Sequence, residues 1–258
     1  MFGVQRLQKI REMVLEQEIV DVSSLSETLN VSEVTIRRDL DKLEKEGFIT
    51  KTYGGAVLNK ELKAERGPAL KNSADHNEDI SLISEIVLQM IEGDEAVFLG
   101  GGPISRQVVR HLPEKKKLKV ITHDIFIAAE LHDNPSVKVT VTGGELVTSA
   151  GIMVGPCVLR MLKEIYINKA FIEVKGVDLK FGYSMESYDE IEIVREILNI
   201  SKEVIALADC AKFDKVGFTK LGDLSLFKKV IGNKEIPEEY KRYYYDNYIK
   251  LYTTYEVN

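Results

Sequence analysis

Apolar residues recur at helical spacing along the first part of the chain and in short, dense runs along the rest, and this change of rhythm divides the sequence. Leu7, Ile10 and Val14, with Leu15 beside them, form one stripe and predict a helix over 4–17. Residues 20–22 read as a short strand. Ser24-Leu25-Ser26-Glu27 has the form of a capping box, in which Ser24 and Glu27 satisfy each other's backbone donors, so a second helix should follow and end near Asn30. Ser32 can accept from a free N–H of a first turn and Gly47 can close a last one, which predicts a third helix of about four turns between them. Ile36, Leu40 and Leu43 fall on its inward face, and Val34, Arg38 and Lys45 on the opposite one. After it, residues 48–53 favour a strand, Gly54-Gly55 a tight turn and 56–58 a returning strand.

Residues 59–77 are rich in charge, contain Gly67 and Pro68, and hold few large apolar side chains, so they read as a linker between a domain at 1–58 and a larger one at 78–258. In the larger one, Ile80, Ile83, Val87, Met90 and Ile91 mark a helix. Strands are expected at 96–99, 118–121, 137–141, 170–174, 204–208 and 230–231, with helical patterns between most of them. Strands alternating with helices imply an α/β fold with a mostly parallel sheet covered on both faces. The tyrosine-rich end, with Tyr243-Tyr244-Tyr245 in succession, reads either as a subunit interface or as a final helix and edge strand.

With 258 residues, two domains are the natural expectation. The 35 basic against 41 acidic residues give a net charge of −6, so any affinity for nucleic acid has to come from a local patch. No signal peptide or run long enough to span a bilayer is visible, which places the chain in the cytoplasm. Cys157 and Cys210 lie far apart and are expected to be buried thiols. The four histidines have no metal-ligand spacing with them, so neither a metal nor a cofactor is expected.

Two constellations carry candidate chemistry. The first is a helix-turn-helix with a β wing. Ser32, Val34, Thr35, Arg37 and Arg38 lie toward the N-terminal end of the third helix, the end that enters the major groove in such motifs. A guanidinium fork suits guanine O6 and N7 or a phosphate, so the arginines can specify, position, or do both. Lys51 would point from the wing to the phosphate backbone. Through VSEVTIRRDLDKLEKEG at 31–47 and YGGA at 53–56, the chain closely resembles the N-terminal domain of the DeoR family of bacterial transcription regulators.

The second constellation is a set of loops at strand ends, where open α/β sheets bind ligands. Gly100-Gly101-Gly102-Pro103 follows a strand and opens a helix, an arrangement that brings backbone N–H groups and a helix N-terminus to an anion. Ser105 and Arg106 add a hydroxyl and a charge. His123, Gly143-Gly144 with Glu145, and Asp209 with Lys212 complete a candidate polar pocket; the bland reading is that these glycines only make turns. Here too the chain is similar to the same family. The effector domain of that family is related to ribose-5-phosphate isomerase and the CoA transferases and in many members senses a phosphorylated sugar. The matching pieces are Thr122, 124–128, 143–145, 155–156, 169–171, 176–178 and 207–213. The resemblance implies that Gly102, Ser105 and Lys212 meet phosphate and that Glu145 sits at the rim. It also exposes departures: the family's first loop commonly carries an aspartate and threonines where this chain has Gly100 to Ile104. His123, Asn168 and Ile231-Gly232-Asn233 likewise replace more usual residues.

The function these features predict is a sequence-specific regulator of double-stranded operator DNA, a repressor of a carbohydrate operon. A phosphorylated sugar or related anionic metabolite would release it, and it would act as a homodimer or homotetramer. A sugar-phosphate isomerase with a DNA-binding appendage, using Glu145, Asp178 or Asp209 as base, is the competing reading. So is a constitutive DNA-binding oligomer with a degenerate pocket.

Overall fold

The computed structural model describes residues 6–45 apart from 8, 12 and 15–18, residues 48–59 apart from 53, and residues 73–112 and 117–253. The chain divides into two compact units, Met1–Ser73 and Ala74–Asn258. In the first, residues 6, 7, 9–11, 13 and 14 are helical, while the ends of the helix expected over 4–17 lie outside the described residues. Strand β1 (Ile19–Asp21) leads into helix Val22–Leu29. The cap of that helix is Asp21, whose Oδ1 accepts from Ser24 N at 2.7 Å, so Ser24 lies inside the first turn and the expected capping box does not form. A carboxylate next to the first free N–H groups is the stronger acceptor. Asn30 ends the helix in the left-handed region, φ 51°.

Helix Glu33–Lys45 follows, with Ser32 Oγ accepting from Thr35 N at 3.4 Å; its expected stop at Gly47 lies outside the described residues. Ile36, Leu40 and Leu43 are fully buried against Ile10, Val14, Leu25 and Ile49. Asp39, also buried, is held by Arg6 at 2.6 Å, so the charge it carries inward has a partner. Strands β2 (Ile49–Lys51) and β3 (Gly55–Leu58) pair antiparallel, and β1 adds to the other side of β3. A Cβ at Gly55 would lie 1.9 Å from the Val20 carbonyl oxygen, so only glycine lets the two strands meet here.

The second unit opens with helix Ser73–Met90, which begins inside the stretch read as linker. Its main sheet contains β4 (Ala96–Leu99), β5 (Leu118–Thr122), β6 (Val137–Val141), β9 (Ile167–Glu173), β12 (Ser201–Leu207), β14 (Lys229–Gly232) and β15 (Lys250–Thr253). The order across it is β15-β14-β12-β9-β4-β5-β6, with every neighbouring pair parallel. Alternation along each strand sends Val97, Leu99, Phe171, Ile205 and Leu207 to one face, and Phe98, Ala170, Ile172, Ala206 and Ala208 to the other. The first set packs on helices Ser73–Met90, Pro103–Arg110 and Ile125–Leu131; the second packs on helices Pro156–Leu162, Tyr188–Ile200 and Glu238–Asp246.

The hairpin β7–β8 (Glu145–Val147, Ile152–Val154) and the antiparallel sheet of β10 (Gly176–Asp178), β11 (Gly182–Met185) and β13 (Thr219–Gly222) were not anticipated, since runs of three or four residues leave little period to read. The chain end is a helix and an edge strand, with Tyr240 and Tyr244 fully buried and Tyr245 and Tyr248 exposed. Both cysteines are free, but neither is the buried thiol expected: Cys157 is exposed, on the outer side of the first turn of helix Pro156–Leu162, and Cys210, in the short turn after β12, is half-buried.

Candidate functional site

The reading face of helix Glu33–Lys45 is open. Val34 is 76% exposed, and Arg37 and Arg38 lie beside it in solvent, opposite the buried Ile36, Leu40 and Leu43. Thr35 Oγ1 and Ser32 Oγ sit 3.0 Å apart at the helix start. Arg37 Nη2 is 3.4 Å from Glu33 one turn back, whereas Arg38 makes no hydrogen bond or ion pair with any described residue. Lys51 is turned differently from the outward direction expected. Its backbone N donates to Glu44 Oε1 at 3.0 Å and its Nζ lies 2.5 Å from Asp41 Oδ1, which straps the wing strand to the helix. That hydrogen bond raises the Lys51 ammonium pKa and lowers the Asp41 carboxyl pKa.

In the second unit the chain passes from β4 to β5 and β6 on one side, then returns to place β9 on the other side of β4. The carboxyl ends of β4 and β9 therefore form the switch point of the sheet. Here the Gly100–Gly102 turn leads into helix Pro103–Arg110, and the last residue of β9, Glu173, projects its carboxylate against the turn. Glu173 Oε1 accepts from Ser105 N at 2.7 Å. Gly102 has φ 141°, a conformation that favours glycine, and a Cβ there would lie 2.4 Å from the Glu173 carboxyl carbon, so the carboxyl group would have to shift.

Phe98, Gly100, Gly101, His123, Ile172, Glu173, Met185, Glu190, Ile193 and Val194 line a small cavity that encloses about 20 Å³ and opens to solvent. His123 is 6% exposed, stacks on Phe98 with ring centroids 5.6 Å apart, and has an Nδ1 without a hydrogen-bond partner. Burial pushes His123 down to about 4, against the pull of Asp124, so the ring is neutral at physiological pH. Burial pushes Glu173 up to about 7, with the Ser105 N–H and Lys175 opposing the rise, and raises Glu190 for the same reason. The Ser105 hydroxyl lies close enough to help hold Glu173 down, yet it has no hydrogen bond of good geometry.

Of the residues expected at a pocket, Gly100, Gly101 and His123 line this cavity, whereas Gly102 and Ser105 do not line it and instead contact Glu173, which does. Arg106 points elsewhere: its guanidinium donates to the fully buried Asp124 Oδ2 at 2.9 and 2.7 Å and to the Ala150 carbonyl at 2.6 Å, and it covers the Phe126 ring. Gly143, Gly144 and Glu145 follow the edge strand β6, and the hairpin they begin returns to donate from Met153 N to the His123 carbonyl at 2.7 Å. Asp209 caps a short turn, accepting from Ala211 N at 2.8 Å, and Lys212 ends that turn beyond β12; neither lines the cavity. Asn168, expected near the ligand, sits at the opposite end of β9, where its Oδ1 accepts from Ala96 N. Asn233 Oδ1 accepts from Cys210 N beside Asp209. Glu173 and Glu190 went unnoticed in the sequence; a lone acid closing the apolar run 170–174 was the available signal. No three His, Cys, Asp or Glu side chains converge among the described residues as a metal set.

Residues 76–234 match the DeoR C terminal sensor domain, and residues 6–62 the DeoR-like helix-turn-helix domain. The chain belongs to the DeoR family. An uncharacterized HTH-type transcriptional regulator of Escherichia coli (strain K12) is 29% identical over 242 residues, 94% of each chain. The lactose phosphotransferase system repressor of Lactococcus lactis subsp. lactis is 29% identical over 248 residues, 93% of this chain and 96% of that one. Among solved structures, ribose 5-phosphate isomerase A of Methanocaldococcus jannaschii aligns over 53% of this chain and 55% of its own, with 14% identity and a TM-score of 0.39. This DeoR-family chain is a DNA-binding transcription regulator, with its helix-turn-helix domain first and its sensor domain second. No described helix is long and apolar enough to cross a membrane.

Proposed function

We propose that this DeoR-family regulator represses a carbohydrate operon and is released when a sugar-derived metabolite enters the cavity at the β4–β9 switch point. The observation that carries the reading is the pairing, in one chain, of an open arginine-bearing helix with a cavity at the place where parallel sheets take ligands. Arg38 and Arg37 read or position operator DNA, with Ser32, Val34 and Thr35 around them and Lys51 on the wing. Gly100, Gly101, Gly102, Ser105 and His123 meet the ligand; Asp209 and Lys212, from the end of the neighbouring β12, are the next candidates. Two or four copies, each presenting one helix to a half-site, act in the cytoplasm without a membrane partner. The chain has no enzymatic role in this reading.

Release is linkage: a ligand that favours a conformer unable to match the half-site spacing weakens DNA binding by the factor by which DNA weakens ligand binding. A gel shift on the DNA upstream of the chain's own gene, with a panel of sugars and their phosphates, tests it. Release by one compound is expected. Specific binding unmoved by every compound would sink the effector assignment, and turnover of ribose 5-phosphate by the purified chain would reinstate an enzyme.

A further inference from the structure

We propose that Val34 reads a thymine methyl group in the major groove of the operator and so fixes one base of each half-site. The proposal rests on helix Glu33–Lys45 being the helix that enters the groove, and it assigns a base to the one apolar group on its outer face.

Val34 is the only apolar side chain among the exposed positions of this helix, and at 76% exposure it touches little of its own protein. It stands about half a turn round the helix from Ile36 and Leu43, so packing against the core does not account for it. Helix formation does not account for it either. A β-branched side chain is a poorer helix former than the alanine, glutamate or lysine that would serve on a solvated face.

A single exposed apolar residue is ordinary on a protein surface; what sets Val34 apart is its neighbours. Arg37 and Arg38, three and four positions on, share its face. Arg37 faces Glu33 at 3.4 Å, and Ser32 Oγ lies 3.0 Å from Thr35 Oγ1. The outward side chains of the first two turns that have no partner among the described residues are therefore Val34 and Arg38.

Base edges in the major groove carry donors, acceptors and one apolar group, the C5 methyl of thymine. The two methyl groups of Val34, at the end of the helix that enters the groove, match that group alone. Set against cytosine, valine would find no methyl and would strip water from the N4 donor without replacing its hydrogen bond. The preference for thymine thus has an attractive and a repulsive part.

The test starts from the duplex that the full chain selects from a random-sequence pool. Each thymine in it is replaced in turn by deoxyuridine, which keeps the pairing and the O4 acceptor and lacks only the methyl group. By fluorescence anisotropy, wild type should lose about fourfold in affinity at one thymine of each half-site, the fold-change for one apolar carbon returned to water. Val34→Ser and Val34→Gln should bind the thymine and uracil duplexes equally at that position. Both should melt with wild type; if one misfolds, the other carries the comparison. The proposal is overturned if no thymine depends on its methyl group in wild type, or if a folded variant keeps the fourfold loss at the same thymine. Arg38→Ala on the selected duplex separates this failure from a wrong choice of helix. Lost binding with no methyl-sensitive thymine leaves the reading helix in place and removes only the role of Val34, whereas undiminished binding removes both.

Discussion

The two chemically active regions treat charge in opposite ways. On the helix Glu33–Lys45 the arginines stand in solvent, and Arg38 has no partner among the described residues, so its donors remain available to a base edge or a phosphate. In and around the cavity the titratable groups are buried and held from within: beside it Asp124 takes Arg106, while in it Glu173 takes the Ser105 N–H with its pKa raised to about 7 and His123 is driven neutral. The lesson is that an exposed cation advertises a partner, whereas a buried, satisfied one mainly shapes the room available for a ligand. A loop that reads in sequence as an anion site can therefore be met already by the protein's own carboxyl group.

The largest effect that would break this contrast is at Arg38. Arg38→Ala should cost about 1–3 kcal/mol of operator binding per half-site, doubled in a symmetric dimer, with melting temperature unchanged. A destabilised Arg38→Ala chain would show that the residue is not an outward reader. Arg106→Ala should do the reverse and destabilise the sensor unit by about 3 kcal/mol in urea unfolding, because it strips the guanidinium from a fully buried Asp124 that keeps only the Phe126 and Ile127 N–H groups. Gly102→Ala should cost about 1–3 kcal/mol by the same measurement, since φ 141° is a glycine conformation and the Glu173 carboxyl must give way to a Cβ; an unchanged midpoint would show that the turn carries no such strain.

The pH dependence sharpens the comparison further. Glu173 holds its proton up to about pH 7 when folded, against an ordinary value of 4.5. The stability tied to it is therefore full below about 4.5 and is lost as pH rises through 7. Glu173→Gln should remove that loss and gain up to about 3 kcal/mol over wild type at pH 8, with little gain at pH 4.5. His123 runs the other way: with its pKa lowered from 6.5 to about 4, it contributes fully above 6.5 and loses that contribution as pH falls to 4, in wild type and variant alike. The smallest effect is at the wing. Lys51→Ala should weaken operator binding by less than about tenfold and reduce the salt slope by no more than about one ion, read by gel shift at several salt concentrations.

The reading helix, its buried stripe and the positions of the main strands were legible because their periods are long and their apolar residues strong. What escaped has a local physical reason in each case. Asp21 outcompeted Ser24 as a cap because a charged acceptor one turn earlier was available. Asn168 looked like a pocket residue until the direction of β9 put it at the far end of the sheet from Glu173, a distinction that a list of motifs does not carry. Arg106 was taken as a ligand-binding cation because its partner Asp124 lies on another strand end, invisible without the β4–β5 pairing. Glu173 was hidden by its apolar neighbours, since one acid at the end of a buried strand resembles the start of a loop.

The tie between Lys51 and Asp41, together with the one between Arg37 and Glu33, sets the terms on which this protein searches a genome. Affinity for arbitrary DNA comes from cations displacing the ions condensed on phosphate, and a cation already facing a carboxylate on its own surface displaces fewer of them. A chain with a net charge of −6, a tied wing lysine and a tied helix arginine is therefore expected to linger briefly on random sequence. Its residence on DNA is then decided by the base edges that Arg38 and its neighbours meet.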